Sequence, residues 1–226
     1  VCFAIIADAL SLVHKKPGLK LKMNMTDAPR TAATYDSLAT HYDRAMRPLE
    51  KWLLARLRAQ TFAELPPESC LLEVGSGTGA NFPYYPRGAR GAASELSFAM
   101  IEHARRKEQP DSVHLIQSRA EHLPFADASF DAGVATLVFC SVASPQKAFR
   151  ELRRVVKPGG TIALLEHVRP RGLLGHFFDL LNVLTVAVFE DHFNRRTAEE
   201  AARAGLSIQR IERHALGIIN LIVCRA

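Results

Sequence analysis

Cysteine is scarce and scattered in this 226-residue chain: Cys2, Cys70, Cys140 and Cys224 are its only four, and none sits in a CxxC pair or any short metal-ligand spacing. A locally built zinc site and a disulfide-stapled scaffold are thereby excluded, and we expect free thiols, no metal and a cytoplasmic setting. No uninterrupted apolar run approaches the ~20 residues needed to span a bilayer. The opening stretch Val1 to Val13 is apolar but broken by Asp8, and its basic residues His14, Lys15 and Lys16 follow it. A secretory signal carries its charge first and ends in a small-residue cleavage site, which this stretch lacks. Linkers, internal repeats and low-complexity tracts are also missing. What remains, 48% hydrophobic and 23% charged residues, is the balance of an ordinary single globular domain.

The formal net charge is +6. A good part of the excess comes from Lys15, Lys16, Lys20, Lys22 and Arg30, and the other basic residues alternate with acids instead of forming a stripe. Phosphate recognition needs clustering, so no nucleic-acid partner is expected. Met25-Thr-Asp-Ala-Pro reads like a natural start, so residues 1–24 are expected to be a dispensable N-terminal extension, with a weak membrane-surface anchor as the rival reading.

From about residue 32 amphipathic helical stretches alternate with short apolar runs, the pattern of an α/β fold with helices over a parallel sheet. A segment near 47–60 places Leu49, Trp52, Leu53 and Leu57 on one predicted helical face. Strands are predicted at 70–74, 91–95, 113–117, 131–138 and 161–166. Ser97 is a candidate N-cap for a helix burying Met100, Ile101 and Ala104. Ser144 and Pro145 open a helix with Ala148, Phe149, Leu152, Val155 and Val156 inward, which Lys157-Pro-Gly-Gly160 stops. Thr197-Ala-Glu-Glu200 has the form of a capping box, and Gly205 should end that helix. Two last strands, 206–214 and 217–224, have only a tight connection between them and should be antiparallel.

Gly75-Ser-Gly77-Thr-Gly79-Ala80 follows the first predicted strand. Glycines there permit a sharp strand-to-helix turn and a close backbone approach to a ligand. Glu95, twenty positions after Gly75, is placed to accept hydrogen bonds from ribose hydroxyls. A dinucleotide loop, a nucleoside-cofactor loop and a purely structural turn all satisfy this pattern.

Leu123-Pro-Phe125, Ala128-Ser-Phe-Asp131 and Lys157-Pro-Gly-Gly160 together with the glycine loop resemble the class I S-adenosylmethionine-dependent methyltransferases of the methyltransferase type 11 group. The resemblance runs from about Tyr35 to the C-terminus, with residues 25–226 as one domain. It implies a Rossmann-like, seven-stranded, mostly parallel sheet with an antiparallel last strand and helices on both faces. By that resemblance S-adenosylmethionine is the cofactor. Glu73, Gly75, Ser76, Gly77, Gly79 and Asn81 would hold its methionine portion, Glu95 and Leu96 the ribose, Ala120 and Glu121 the adenine edge, and Tyr42 and Leu137 would close the site. Many relatives carry Asp where this chain has Arg119, so Glu121 or backbone groups would take over its contact. Tyr35-Asp-Ser-Leu-Ala39 and His41-Tyr-Asp43 look like the segment that closes over the cofactor in ubiquinone and menaquinone C-methyltransferases. Gly77-Thr-Gly-Ala-Asn81 with Tyr85-Pro86, Thr136 to Val142 and Glu166-His-Val168 are more similar to the methyltransferase-like alkyl thiol methyltransferases and their bacterial relatives. Pro83 and Pro86 should shorten the helix after the glycine loop.

Transfer of a methyl group from a sulfonium needs no protein nucleophile; positioning and exclusion of water suffice. If the acceptor carries a proton, the candidate bases are His167, Asp191 and His192, each weighed against a capped strand end or a solvated loop. Cys140 reads better as a packing residue, and Asp131, at the opposite end of its strand, as structural. Leu173 to Phe189 is apolar on most helical faces and would be a core or partner helix, a lid over an apolar acceptor, or a peripheral membrane contact. The expected acceptor is small or lipid-like, a thiol first and a phospholipid amine or quinone ring second. A nicotinamide-dependent oxidoreductase shares only the glycine loop, and a non-catalytic S-adenosylmethionine-binding module is the reading from a different class.

Overall fold

The computed structural model describes residues 30–168 and 195–226. Its first element, helix α1 (Arg30–Leu49), runs through a π-helical turn at Glu50–Leu54 into α2 (Ala55–Ala63). The chain then alternates β1 (Cys70–Val74), β2 (Arg90–Glu95), α3 (Phe98–Ala104), β3 (Val113–Gln117), β4 (Phe130–Thr136), α4 (Pro145–Val155) and β5 (Val156–His167). After the undescribed stretch come α5 (Thr197–Arg203), β6 (Ser207–His214) and β7 (Ile219–Arg225). The seven strands form one sheet in the order β3-β2-β1-β4-β5-β7-β6. The pairs from β3 across to β5 are parallel, and β7 runs antiparallel to both neighbours, β5 and β6. The chain steps outward from β1 through β2 to β3, then returns to lay β4 on the other side of β1. That reversal opens a crevice at the carboxyl ends of the central strands, the usual ligand position in an open α/β sheet.

Alternation along the strands supplies both faces of the sheet. On β5, Ile162 and Leu164 join the core under α4 and α5, with Phe149, Leu152, Val155, Ala201 and Ala204. Ala163 and Leu165, a residue out of phase, face the other side, where the π-helical turn brings Leu54 and α2 brings Leu57 and Phe62. Phe139 and Phe149 stack with centroids 3.8 Å apart. Ser97 caps α3 by accepting the Met100 N–H at 3.1 Å, as expected. Gly205 ends α5 at φ +92°.

Several expectations are corrected. Leu49 is 42% and Trp52 83% exposed, so they are not on the buried face with Leu57. The π-helical turn after Pro48 inserts an extra residue per turn, and a 3.6-residue extrapolation across it rotates the wrong side chains inward. Thr197 does not cap its helix: Arg196 does so without a side-chain bond, and the first helical hydrogen bond runs from the Glu200 N–H to the Arg196 carbonyl. Thr197 is 1% exposed, its hydroxyl buried without a partner, and so it is turned into the core rather than back along the chain. Lys157-Pro-Gly-Gly160 does not separate helix from strand but lies within β5 as a bulge, where pairing with β4 jumps from Phe130↔Val156 to Ala132↔Thr161. Cys140 and Cys224 are free and buried, whereas Cys70 is disulfide-bonded, against the expectation of four thiols. Spacing rules exclude local pairs only; they do not speak to distant cysteines that a fold brings together. No helix among the described residues is long and apolar enough to cross a membrane. The expected extension 1–24 and the apolar stretch 173–189 lie outside the described residues.

The Leu123-Pro-Phe125 element is held down by α4. Arg154 donates to the carbonyls of Leu123 (3.0 Å) and Phe125 (2.7 Å), to Asp127, and to Glu151 through Nε and Nη2, both 2.8 Å. Glu151 also accepts the Leu123 N–H at 3.0 Å. The Arg154 guanidinium pulls the Glu151 carboxyl below its ordinary value, over the opposing effect of burial. A carboxyl depressed in the folded state stabilises the protein above its unfolded pKa of about 4.3, and the contribution disappears as pH falls through the folded value. Glu151→Gln is therefore expected to lower the melting temperature at neutral pH, with the gap to wild type closing as pH drops below about 4. Melting curves of both proteins across that range check it; a gap independent of pH would place the loss in packing instead.

Candidate functional site

A cleft lies along the carboxyl ends of β3, β2, β1 and β4. Its floor is the glycine loop, which leaves β1 by two bonds to the neighbouring strand end: the N–H groups of Gly75 and Ser76 donate to the Ser94 carbonyl at 2.8 and 3.0 Å. Gly75, Gly77 and Gly79 all have positive φ, so this path is closed to most side chains for backbone reasons alone. The surroundings then distinguish them. A Cβ on Gly75 would stand 2.4 Å from a Val138 methyl carbon, and one on Gly79 2.4 Å from the Phe82 ring, while one on Gly77 would meet nothing within 4 Å. Gly77 thus borders open space in the cleft. In place of the long helix common after such loops there is only a 3₁₀ turn, Phe82–Tyr84, with Pro83 inside it.

Glu95 closes β2 and ties three backbone groups together. Its Oε2 accepts the Gly77 N–H and its Oε1 the N–H groups of Leu96 and Ser97, each at 2.8 Å. Burial raises its pKa against the pull of those donors. Two hydroxyls on the cleft wall, those of Ser76 and Ser118, are buried without a hydrogen-bond partner. Buried polar groups left unmet carry a desolvation cost, and at a cleft wall the natural partner is a ligand.

Helix α1 closes the cleft from above, presenting Tyr35 and Tyr42 to it. Two aspartates latch it: Asp36 accepts the Ser97 hydroxyl at 2.5 Å, and Asp43 accepts the Thr78 hydroxyl at 2.5 Å and pairs with Lys107 at 2.6 Å. Beneath the glycine loop lies a buried polar network. Arg58 donates through Nη1 to Asn81 Oδ1 and Thr136 Oγ1, both at 2.6 Å, and through Nε to Glu50 at 2.9 Å. Asn81 passes its amide N–H groups to Thr136 (2.8 Å) and Glu73, and the Tyr85 hydroxyl donates to Glu73. Burial raises the pKa of Glu73, while Tyr85 and Asn81 oppose the shift.

Of the residues singled out in the sequence, Tyr42, Gly75, Ser76, Gly77, Asn81, Glu95, Leu96, Ala120, Glu121 and Leu137 line the cleft. Glu73 and Gly79 do not: Glu73 is 0% exposed, behind Asn81, and Gly79 is packed against Phe82. Glu121 accepts the Ser144 N–H at 3.2 Å and lies 3.7 Å from Arg119, which also lines the cleft. Leu137 is held at φ +58° where β4 ends, a costly conformation of the kind concentrated at binding sites. His167 is not part of the cleft wall; it ends β5 opposite Ile219. Asp191 and His192 lie outside the described residues. The sequence reading missed Arg58, because one arginine beside Leu57 on an amphipathic helix carries no signal until the helix is placed over the loop.

The contrast between the loop glycines is measurable. Gly77→Ala should lose only the cost of a left-handed alanine, about 1–2 kcal/mol, because the new methyl enters open space. Gly75→Ala bears the same cost plus displacement of Val138, so its loss should be the larger. Urea unfolding of both variants checks the order, and equal losses would mean that Val138 yields freely.

Residues 72–164 match the family model described as a methyltransferase domain. Among curated relatives, the chain is 37% identical over 132 residues to the thiol S-methyltransferase TMT1B of Homo sapiens, an alignment covering 56% of this chain and 53% of that protein. It is 32% identical over 165 residues to a demethylmenaquinone methyltransferase of Clavibacter sepedonicus, covering 70% and 62% respectively. The chain thus spans between half and two thirds of the length of these relatives. The crystal structure of an S-adenosylmethionine-dependent methyltransferase from Thermotoga maritima shares the fold, with a TM-score of 0.67, 22% identity, and coverage of 85% of this chain and 98% of that one. Family and fold imply S-adenosylmethionine as the cofactor. The residues present fit it: a carboxylate at the end of β2, two unpartnered hydroxyls, and a loop left open at Gly77. With the expected strand order, the glycine loop on the expected strand and a matching domain model over 72–164, the chain carries a methyltransferase domain and shares the fold of the S-adenosylmethionine-dependent methyltransferases.

Proposed function

We propose that this protein is a methyltransferase that moves the methyl group of S-adenosylmethionine to a small or lipid-like apolar acceptor, with a thiol as the favoured class. The observation that carries the reading is the cleft along β3, β2, β1 and β4, whose wall holds the buried, unpartnered hydroxyls of Ser76 and Ser118 beside the Glu95 carboxylate. When bound, the cofactor supplies a methyl group activated on a sulfonium. The chain's own part is to hold and screen. Glu95 binds ribose hydroxyls, Ser118 to Glu121 border the base, and α1, latched by Asp36 and Asp43, keeps water from the reacting atoms. Leu137, Val138, Val142 and Ala143 make the β4 end of the cleft apolar, which suits an alkyl acceptor better than a charged one. There the chain would hold an acceptor thiol in line with the methyl group that the cofactor would supply, and the thiol proton would leave to a base or to solvent. His167, Asp191 and His192 remain the candidate bases for that proton.

A thiol is favoured by the similarity to relatives named thiol S-methyltransferase, 37% identical for TMT1B and 36% for TMT1A of Homo sapiens. A quinone ring is the second reading, supported by the similarity to demethylmenaquinone methyltransferases.

Incubation with S-adenosylmethionine and a panel of alkyl thiols, demethylated quinones and phospholipid amines, followed by mass spectrometry, tests the proposal. Equal amounts of S-adenosylhomocysteine and a methyl thioether are expected. Methylation confined to the quinones would install the second reading, and tight cofactor binding without turnover would leave a binding module. Glu95→Gln should weaken S-adenosylhomocysteine by about 1.5–3 kcal/mol, the worth of hydrogen bonds to a charged acceptor, as read by titration calorimetry. Undiminished affinity would move the ribose contact elsewhere.

A further inference from the structure

Beyond Thr136 the chain leaves the sheet and builds the apolar end of the cleft, which Leu137, Val138, Ser141, Val142 and Ala143 line. Leu137 keeps one last rung of the sheet, its N–H donating to the Leu165 carbonyl at 2.7 Å. It then turns through φ +58°, a left-handed conformation that leucine adopts only where its surroundings impose it. The next residue of β5 supplies the anchor. Glu166, 0% exposed, accepts the Val138 N–H at 3.1 Å and the Phe139 N–H at 3.2 and 3.3 Å. Ser141 folds the wall back on itself, its N–H and its hydroxyl both donating to the Val138 carbonyl at 3.0 Å. Near the other end Arg195, two residues before α5, donates through Nη2 to the Val142 carbonyl at 2.9 Å. That is its one hydrogen bond among the described residues, and its Nε–H is buried without a partner. Burial pulls the Arg195 pKa down while Glu200, Cys140 and Glu166 oppose it, so the guanidinium stands in the field of the carboxylate that holds the start of the wall.

We propose that Glu166 and Arg195 are positioning residues for the methyl acceptor: Glu166 takes the amides at the start of the 137–143 wall, Arg195 takes a carbonyl near its end, and together they fix the width of the apolar pocket before an acceptor arrives. The proposal rests on the methyltransferase reading and adds to it the residues that select the acceptor. A buried carboxylate persists only where donors meet it, and bonds from N–H groups to an ionised oxygen are stronger than those between neutral partners. Glu166 therefore holds the left-handed turn at Leu137 with more force than a neutral side chain would. The two anchors act on different neighbours. Val138 presses on the glycine loop, where a Cβ on Gly75 would stand 2.4 Å from its methyl carbon, so Glu166 is coupled to the cofactor side of the cleft as well. Arg195 acts four residues further on, at Val142, and is coupled to the acceptor alone.

The test combines steady-state kinetics on straight-chain alkanethiols of graded length, titration calorimetry with S-adenosylhomocysteine, and amide hydrogen exchange across residues 137–143. Arg195→Met should lower kcat/KM for the thiols by about tenfold or more and flatten their chain-length profile, through the KM of the thiol and not that of S-adenosylmethionine. Its affinity for S-adenosylhomocysteine should equal that of wild type. Glu166→Ala should act in the same direction, speed exchange of the Val138 and Phe139 amides by about tenfold or more, and weaken S-adenosylhomocysteine too. Glu166→Gln keeps an accepting oxygen and should recover most of the loss. A chain-length profile of Arg195→Met parallel to that of wild type, or thiol and cofactor affinity falling in it by the same factor, marks a merely structural arginine and overturns the proposal. Should Glu166→Ala not fold, Arg195→Met and Glu166→Gln carry the decision. If wild type methylates no thiol of the series, the thiol reading fails, and exchange then judges the wall: acceleration confined to 137–143 in the variants upholds the anchoring, and unaltered exchange overturns it.

Discussion

A buried guanidinium under the glycine loop is the constraint around which the cleft is organised. Arg58 is 5% exposed and joins the π-helical turn through Glu50, the end of the loop through Asn81 and the end of β4 through Thr136. Taking such a charge out of water costs several kcal/mol unless paired and fully hydrogen-bonded, and removing a partner leaves the charge uncompensated. The network is therefore a set of mutually dependent positions. Glu73 and Tyr85 complete it from beneath, and the raised pKa that burial gives each of them marks how dry the interior is at this point.

Charge is arranged differently at the two ends of the central strands. At the amino end of β4, Asp131 meets Lys157 at 2.5 Å and the Cys70 N–H at 2.8 Å, and its pKa is lowered: burial opposes, but those partners prevail. At the carboxyl ends, Glu73 and Glu95 are raised because burial prevails. A carboxylate that meets a cation at the surface adds stability, whereas one held dry costs stability, and of these two only Glu95 stands at the cleft wall. The position of the cleft follows the second kind.

The fold was legible in large part because its signals are local. The parallel strands advertise themselves as short apolar runs ending in turn residues, Ser97 stands one residue before its helix, and the tight connection at Gly217 requires antiparallel closing strands. The failures were local rules overruled by neighbours. Trp52 lies outward because the π-helical turn shifts the helical phase, Thr197 is buried whole and so leaves the cap unmade, and the bulge at Gly159 and Gly160 lies within β5 because the far side of the strand finds β7 and Ala226 to bond.

For the site, residues that act through backbone geometry were readable. Gly75 and Gly77 need positive φ, and Glu95 must follow them at the length of one strand–loop–strand unit, so spacing alone brings them together. The sequence by itself also determined that an α/β sheet would form, since periods of two and 3.6 are properties of neighbouring residues. Only the tertiary structure decided which polar side chains meet. Arg58, Asn81, Glu73 and Thr136 come from α2, the loop, β1 and β4, and their partnership depends on how a helix is laid across a sheet. That placement is set by summed packing over the Leu54, Leu57 and Phe62 contacts, a non-local quantity that no spacing within the chain records.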